Sequence, residues 1–143
     1  MAKTYNVFIS HSWSHVDDLK RLRSLLNAKG YFNVEFMEVA PMHPIRSANT
    51  YYVRQQLSER IKSSDIVLGI AGIYASYSEW MEWELDKAIE HGKPILGVIP
   101  WGHERVSSVV SNKAKKIVRW NTDSIVDAIR ELSNELFLLP TVS

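Results

Sequence analysis

Short apolar runs alternate with amphipathic stretches along the whole chain. Tyr5–Ser10 is the first apolar run and predicts a strand. Val16–Lys29 predicts a helix: Leu19, Leu22 and Leu26 recur on one helical face, Ser14 and Asp17 stand in capping-box spacing, and Gly30 stops it. Phe32–Phe36 predicts a weaker second strand, followed by a loop through Pro41 and Pro44. Thr50–Lys62 predicts a helix on the fourfold spacing of Val53, Leu57 and Ile61. Asp65–Ile70 reads as a buried strand, and Glu79–His91 as a helix closed by Gly92 and Pro94. Ile95–Ile99 predicts a fourth strand, Ser107–Lys115 a short helix and Ile117–Trp120 a fifth strand. Ser124–Leu136 predicts a final helix with Ile125, Ile129, Leu132 and Leu136 on one stripe.

This is a series of five β-α units. The first, third and fourth strands lack polar alternation, as a parallel sheet covered on both faces requires. Right-handed crossovers then give an α/β fold: a flavodoxin-like, doubly wound, five-stranded parallel sheet of order 2-1-3-4-5. Residues 1–143 are expected to form one domain. Ligands of such sheets sit beyond the carboxyl ends of the strands, at the switch point between strands one and three. Four segments therefore face the expected site: Ser10–His15, Met37–Asn49, Ala71–Trp80 and Pro100–Val106.

Composition narrows the chemistry. Hydrophobic residues make up 45% and charged residues 23%, which supports a packed core rather than a disordered chain. A formal net charge of +1 gives no general attraction to nucleic acid or to an anionic membrane, and neither is expected as a partner. The absence of cysteine excludes disulfide scaffolds, cysteine nucleophiles and thiolate metal sites. No run approaches the roughly 18 apolar residues that cross a bilayer, and the N-terminal apolar run is too short for a secretory signal. A cytoplasmic location is the expectation.

The strand ends test the chemistries that this fold hosts. A phosphoacceptor domain needs carboxylates after strands one and three; the loops Ser10–His15 and Gly69–Tyr74 have none. The first loop also lacks the glycines of a phosphate-binding loop. His11 and His15 stand four apart, but in a loop and at a helix start, so no metal site is expected. Lys113, Lys115, Lys116 and Arg119 read as a solvated basic face. The informative stretch is Ser78–Ala88. At about 100° per residue, Met81, Leu85, Ala88 and Ile89 share the face that must bury. Glu84 lies on one shoulder with Trp80, Glu82 lies on the other, and Glu79, Trp83, Asp86 and Glu90 point outward. A shoulder carboxylate beside tryptophan, in a helix that starts at a ligand-facing loop, is a site candidate. Acids on helix shoulders are common at protein surfaces, however, and geometry alone favours that plainer reading.

The stretch Val7-Phe-Ile-Ser-His-Ser12 resembles the strand that opens TIR domains. Ser78-Glu-Trp-Met-Glu-Trp-Glu84-Leu85 is similar to their third-helix motif: a serine, a tryptophan two residues later and a glutamate four beyond that. Ser64–Ile70 and Lys93–Val98 match the family's cadence, and the details resemble the TIR-like branch that includes Thoeris anti-phage proteins of the ThsB type. The resemblance implies an enzyme that cleaves NAD at the nicotinamide–ribose bond, with Glu84 catalytic and NAD as substrate rather than resident cofactor. It implies contacts to NAD from Ser10, His11, Trp13, Tyr74, Ser78 and Trp80, with the aromatics stacking on a base. His43 and Arg46 are carried over from a loop, Met37–Arg46, that departs from the family's usual pattern; Arg46 suits a pyrophosphate. Exclusion of water would favour a cyclic or conjugated ADP-ribose signal in anti-phage defence, read by a separately encoded effector. The alternative is a non-catalytic TIR scaffold acting by self-association, for which outward Trp83 and Tyr77 would serve. Nucleoside deoxyribosyl transfer ranks lower, because Trp83 and Leu85 crowd the glutamate. A homo-oligomer is a further expected partner: residues 79–91 carry a net −4 and residues 103–120 a net +4, faces able to steer one subunit onto another.

Overall fold

The computed structural model describes residues 3–12, 14–37 and 50–138. Its elements in chain order are β1 (Thr4–Ser10), α1 (Val16–Asn27), β2 (Asn33–Phe36), α2 (Thr50–Lys62), β3 (Ile66–Ile70), a 3-10 turn (Ile73–Tyr77), α3 (Glu79–Glu90), β4 (Ile95–Val98), α4 (Ser108–Lys113), β5 (Lys116–Val118) and α5 (Thr122–Leu138). All strands pair in parallel, in the order β2-β1-β3-β4-β5. This is the flavodoxin-like arrangement expected from the apolar runs. β1 and β3 are neighbours, with Val7 opposite Ile66 and Ser10 opposite Gly69.

Side chains alternate across a strand, so each strand feeds two cores. On one face Tyr5, Val7, Ile9, Ile66, Leu68 and Ile70 pack with Leu19, Leu22 and Leu26 of α1 and with Ile125 and Ile129 of α5. On the other, Phe8 and Val67 pack with Leu57 and Ile61 of α2, Met81, Leu85 and Ala88 of α3, and Val110 of α4. The parity that sends Phe8 to this second face sends Ser10 there too. Gly69 and Gly97 let α4 come close: a Cβ at either position would stand 3.2 Å from Val110 Cγ1. Among the described residues no helix is long and apolar enough to cross a membrane.

Several local expectations shift. His15, not Ser14, is the N-cap residue of α1, and its side chain makes no cap bond. The chain turns there instead through His15 N–H to Ser12 C=O at 2.9 Å. Phe32 precedes β2 and is buried core, while Tyr31 beside it is fully exposed with φ 57°. β5 ends at Val118, and Trp120 packs half-buried on the first core. Ile89 is 52% exposed rather than buried. At about 100° per residue it lies on the shoulder of α3 away from Glu84. The neighbouring helix on that side, α4, has only 6 residues and leaves it uncovered.

Candidate functional site

The site grows from the end of β1 and the start of α3. Ser78 caps α3, its Oγ accepting the Met81 N–H at 3.2 Å, and Glu79 and Glu82 in the first turn complement the helix dipole. Two turns in, Glu84 is only 4% exposed, while Glu82 is exposed. The Ser10 hydroxyl at the end of β1 donates to Glu84 Oε1 at 2.7 Å, and both side chains are buried. The pair joins residues 74 apart in sequence, beside the switch point between β1 and β3.

His11 follows Ser10 and is 6% exposed. Burial pushes its imidazole below the ordinary 6.5; the Ile9 carbonyl, 3.5 Å from Nδ1, and the Asp18 charge oppose this without reversing it. The folded protein thus favours neutral His11, whereas the unfolded chain takes up a proton near 6.5. Stability contributed by this residue is present above 6.5 and is lost as pH falls below it towards the lower folded value. Urea midpoints measured between about pH 7.5 and 5 should decline through that window, and a His11→Asn variant should lose this part of the decline.

A cleft of about 460 Å³ is lined by Ser12, Ser14, His15, Tyr74, Tyr77, Ser78, Glu79 and Trp80; Ser12 stands two residues beyond Ser10, and Trp80 one helical turn before Glu84. Tyr74 is held on three sides. Its hydroxyl donates to Asp18 Oδ2, its ring stacks on His15 with centroids 3.5 Å apart and planes 6° apart, and His103 meets it edge-on at 5.8 Å. Burial, then the Asp18 hydrogen bond and charge, push the phenol well above its usual range, so it stays protonated. His15 Nδ1 also lies 3.2 Å from Ser12 Oγ. Trp80 is half-buried, meets Trp83 edge-on at 5.9 Å, and carries the Arg54 guanidinium 5.4 Å above its ring.

Of the residues singled out in the sequence, Ser10 and Glu84 form a buried hydrogen-bonded pair, His11 is buried next to Ser10 in the chain with its ring towards the Ile9 carbonyl, and Tyr74, Ser78 and Trp80 line the cleft. Trp13, His43 and Arg46 lie outside the described residues. Asp18 and Arg54 were not expected at the site, and Ser12 and His15 only as members of the Ser10–His15 loop. The Tyr74–Asp18 contact joins positions 56 apart and has no local signal. Trp83 is not the outward anchor expected. It is half-buried against the second core, with Arg54 and Lys87 each 5.7 Å from its ring. The acidic α3 and the basic segment also meet within one chain: Lys113 pairs with Asp86 at 2.6 Å. Lys87–Glu90 and Lys116–Glu131 compensate further charges.

The doubly wound parallel sheet of order 2-1-3-4-5, with a buried carboxylate bonded to the end of β1, defines a flavodoxin-like domain. Residues 8–105, well over half of the sequence, match the family described as "Thoeris protein ThsB, TIR-like domain", and the chain belongs to that family. No curated protein sequence matches it. Among solved structures, the CMP N-glycosidase BcmB of Clostridium botulinum superposes with a TM-score of 0.53 at 14% identity, covering 87% of this chain and 98% of that one. A 3-dehydroquinate dehydratase-like protein from Bifidobacterium longum gives 0.46 at 12% identity, over 94% and 98%. The first shares the fold.

Proposed function

We propose that this domain cleaves NAD at the nicotinamide–ribose bond, with Glu84 as the catalytic carboxylate. The observation that carries the reading is a glutamate held 4% exposed and bonded to the end of β1, at the position to which the resemblance noted in the sequence assigns the catalytic acid. An acid this buried is unusual unless it is bonded or used.

The chemistry suits the group. When the C1′–N bond breaks, nicotinamide leaves with the electron pair and positive charge builds on the ribose, as in glycoside cleavage. An anionic, desolvated carboxylate stabilises that charge, and more strongly than it would in water. The CMP N-glycosidase with the shared fold is named for cleavage of the same kind of bond. NAD enters as substrate, and no further cofactor is invoked. The cleft offers Trp80 and the outer face of His15 as platforms for a base, since His15 covers one face of Tyr74.

Where the closed site excludes water, a hydroxyl oxygen of the substrate or of a second molecule takes the C1′ position and loses its proton. The product is then a cyclic or conjugated ADP-ribose, released as a signal to a separately encoded effector in anti-phage defence. Incubating the pure protein with NAD should release nicotinamide and yield a product whose mass distinguishes hydrolysis from cyclisation. No nicotinamide, even with an infected-cell extract added, would overturn the reading. A second reading, a scaffold acting by self-association, draws on Tyr77 at 85% exposed and Ile73 at 43% beside the cleft.

A further inference from the structure

We infer that Ser10 is a positioning residue that aims the Glu84 carboxylate, rather than a contact to the substrate. The inference rests on the reading of Glu84 as the reacting group. A serine hydroxyl has one proton to give. That proton goes to Glu84 Oε1 at 2.7 Å, between two buried side chains, so it is not offered to a ribose hydroxyl or a phosphate while the bond stands. The donor itself is fixed. Ser10 ends β1 opposite Gly69, and the strand's parity aims it at the face where Met81 and Leu85 of α3 pack. It therefore couples the rigid sheet to the helix that carries the acid.

Several charged groups on the neighbouring elements have partners of their own. On β1, His11 is held towards its neutral form by burial. On α1, Asp18 accepts from Tyr74. On α2, Arg54 stacks over Trp80 and Trp83. On α3, Lys87 pairs with Glu90, and on α4, Lys113 pairs with Asp86. Ser10 is itself uncharged, so it fixes one carboxylate oxygen without adding a countercharge of its own. An apolar residue there would leave that oxygen buried without this partner, a costly state for a carboxylate.

The test compares wild type, Ser10→Ala and Ser10→Thr, with thermal melting as the check on folding. Ser10→Ala should lower kcat for nicotinamide release about tenfold or more, with KM within about twofold. The protonation midpoint of the Glu84 carboxyl, followed by carbon-13 NMR and assigned by its loss in Glu84→Gln, should move upward, because a hydrogen bond to the charged form has been removed. Ser10→Thr keeps the hydroxyl and should restore both. A rise in KM at unchanged kcat would make Ser10 a substrate contact and overturn the inference, as would an unmoved Glu84 titration in Ser10→Ala. The NMR arm needs no turnover. If wild type releases no nicotinamide but the titration moves, the proposed reaction fails and the positioning role stands.

Discussion

Glu84→Gln is expected to reduce nicotinamide release from NAD by about 100-fold or more, the scale on which one preorganised electrostatic group acts in a water-excluded site. The amide is nearly isosteric and its oxygen can still accept from Ser10, so the buried hydrogen bond survives and the fold should melt within a few degrees of wild type. What is lost is the negative charge opposite the developing ribose cation. Glu82→Ala is the control. Glu82 lies two positions away in the same helix and has the same chemistry, but it is exposed and should retain most activity. Steady-state release by both variants, alongside their melting curves, separates a chemical role from a structural one. Loss in Glu82→Ala with activity kept in Glu84→Gln would move the catalytic acid to the other shoulder of α3 and end the proposed mechanism.

Helical spacing placed these two glutamates on opposite shoulders of one apolar stripe, but it was the resemblance to the family motif, not the spacing, that singled out Glu84. The strand order was legible in the sequence: uninterrupted apolar runs such as Ile66–Ile70 belong between two helical layers. The partners of the site residues were not. Ser10 and Glu84 are 74 residues apart and Tyr74 and Asp18 are 56 apart, and no local pattern encodes such a contact before the sheet has brought the segments together. The loop Ala71–Trp80 was singled out as facing the site, but the 3-10 turn Ile73–Tyr77 within it, which delivers Tyr74 to His15, was not foreseen. Charge patterning identified an acidic helix and a basic segment but not their partners, and Lys113 and Asp86 meet within one chain. The position of Ile89 misled. Periodicity identifies a stripe but not how far the neighbouring helix extends to cover it.

That last point has a direct energetic test. Leu85→Ala is expected to destabilise the fold by about 2–5 kcal/mol, a large part of the roughly 5–15 kcal/mol that holds a domain of this kind together. Leu85 is fully buried in the second core, where a Cβ on Gly69 would stand 3.5 Å from its Cδ2. Truncation removes buried methyl groups and leaves a cavity against β3 that the close-packed Val110 cannot readily fill. Ile89→Ala, one helical turn further on, removes a side chain of similar size, but one 52% exposed, and should cost no more than about 1 kcal/mol. In urea the two variants should differ in midpoint at a common m-value. Equal destabilisation would mean that α3 is rotated from the orientation described. Since the same rotation sets where Glu84 points, it would also break the buried bond to Ser10 on which the site depends.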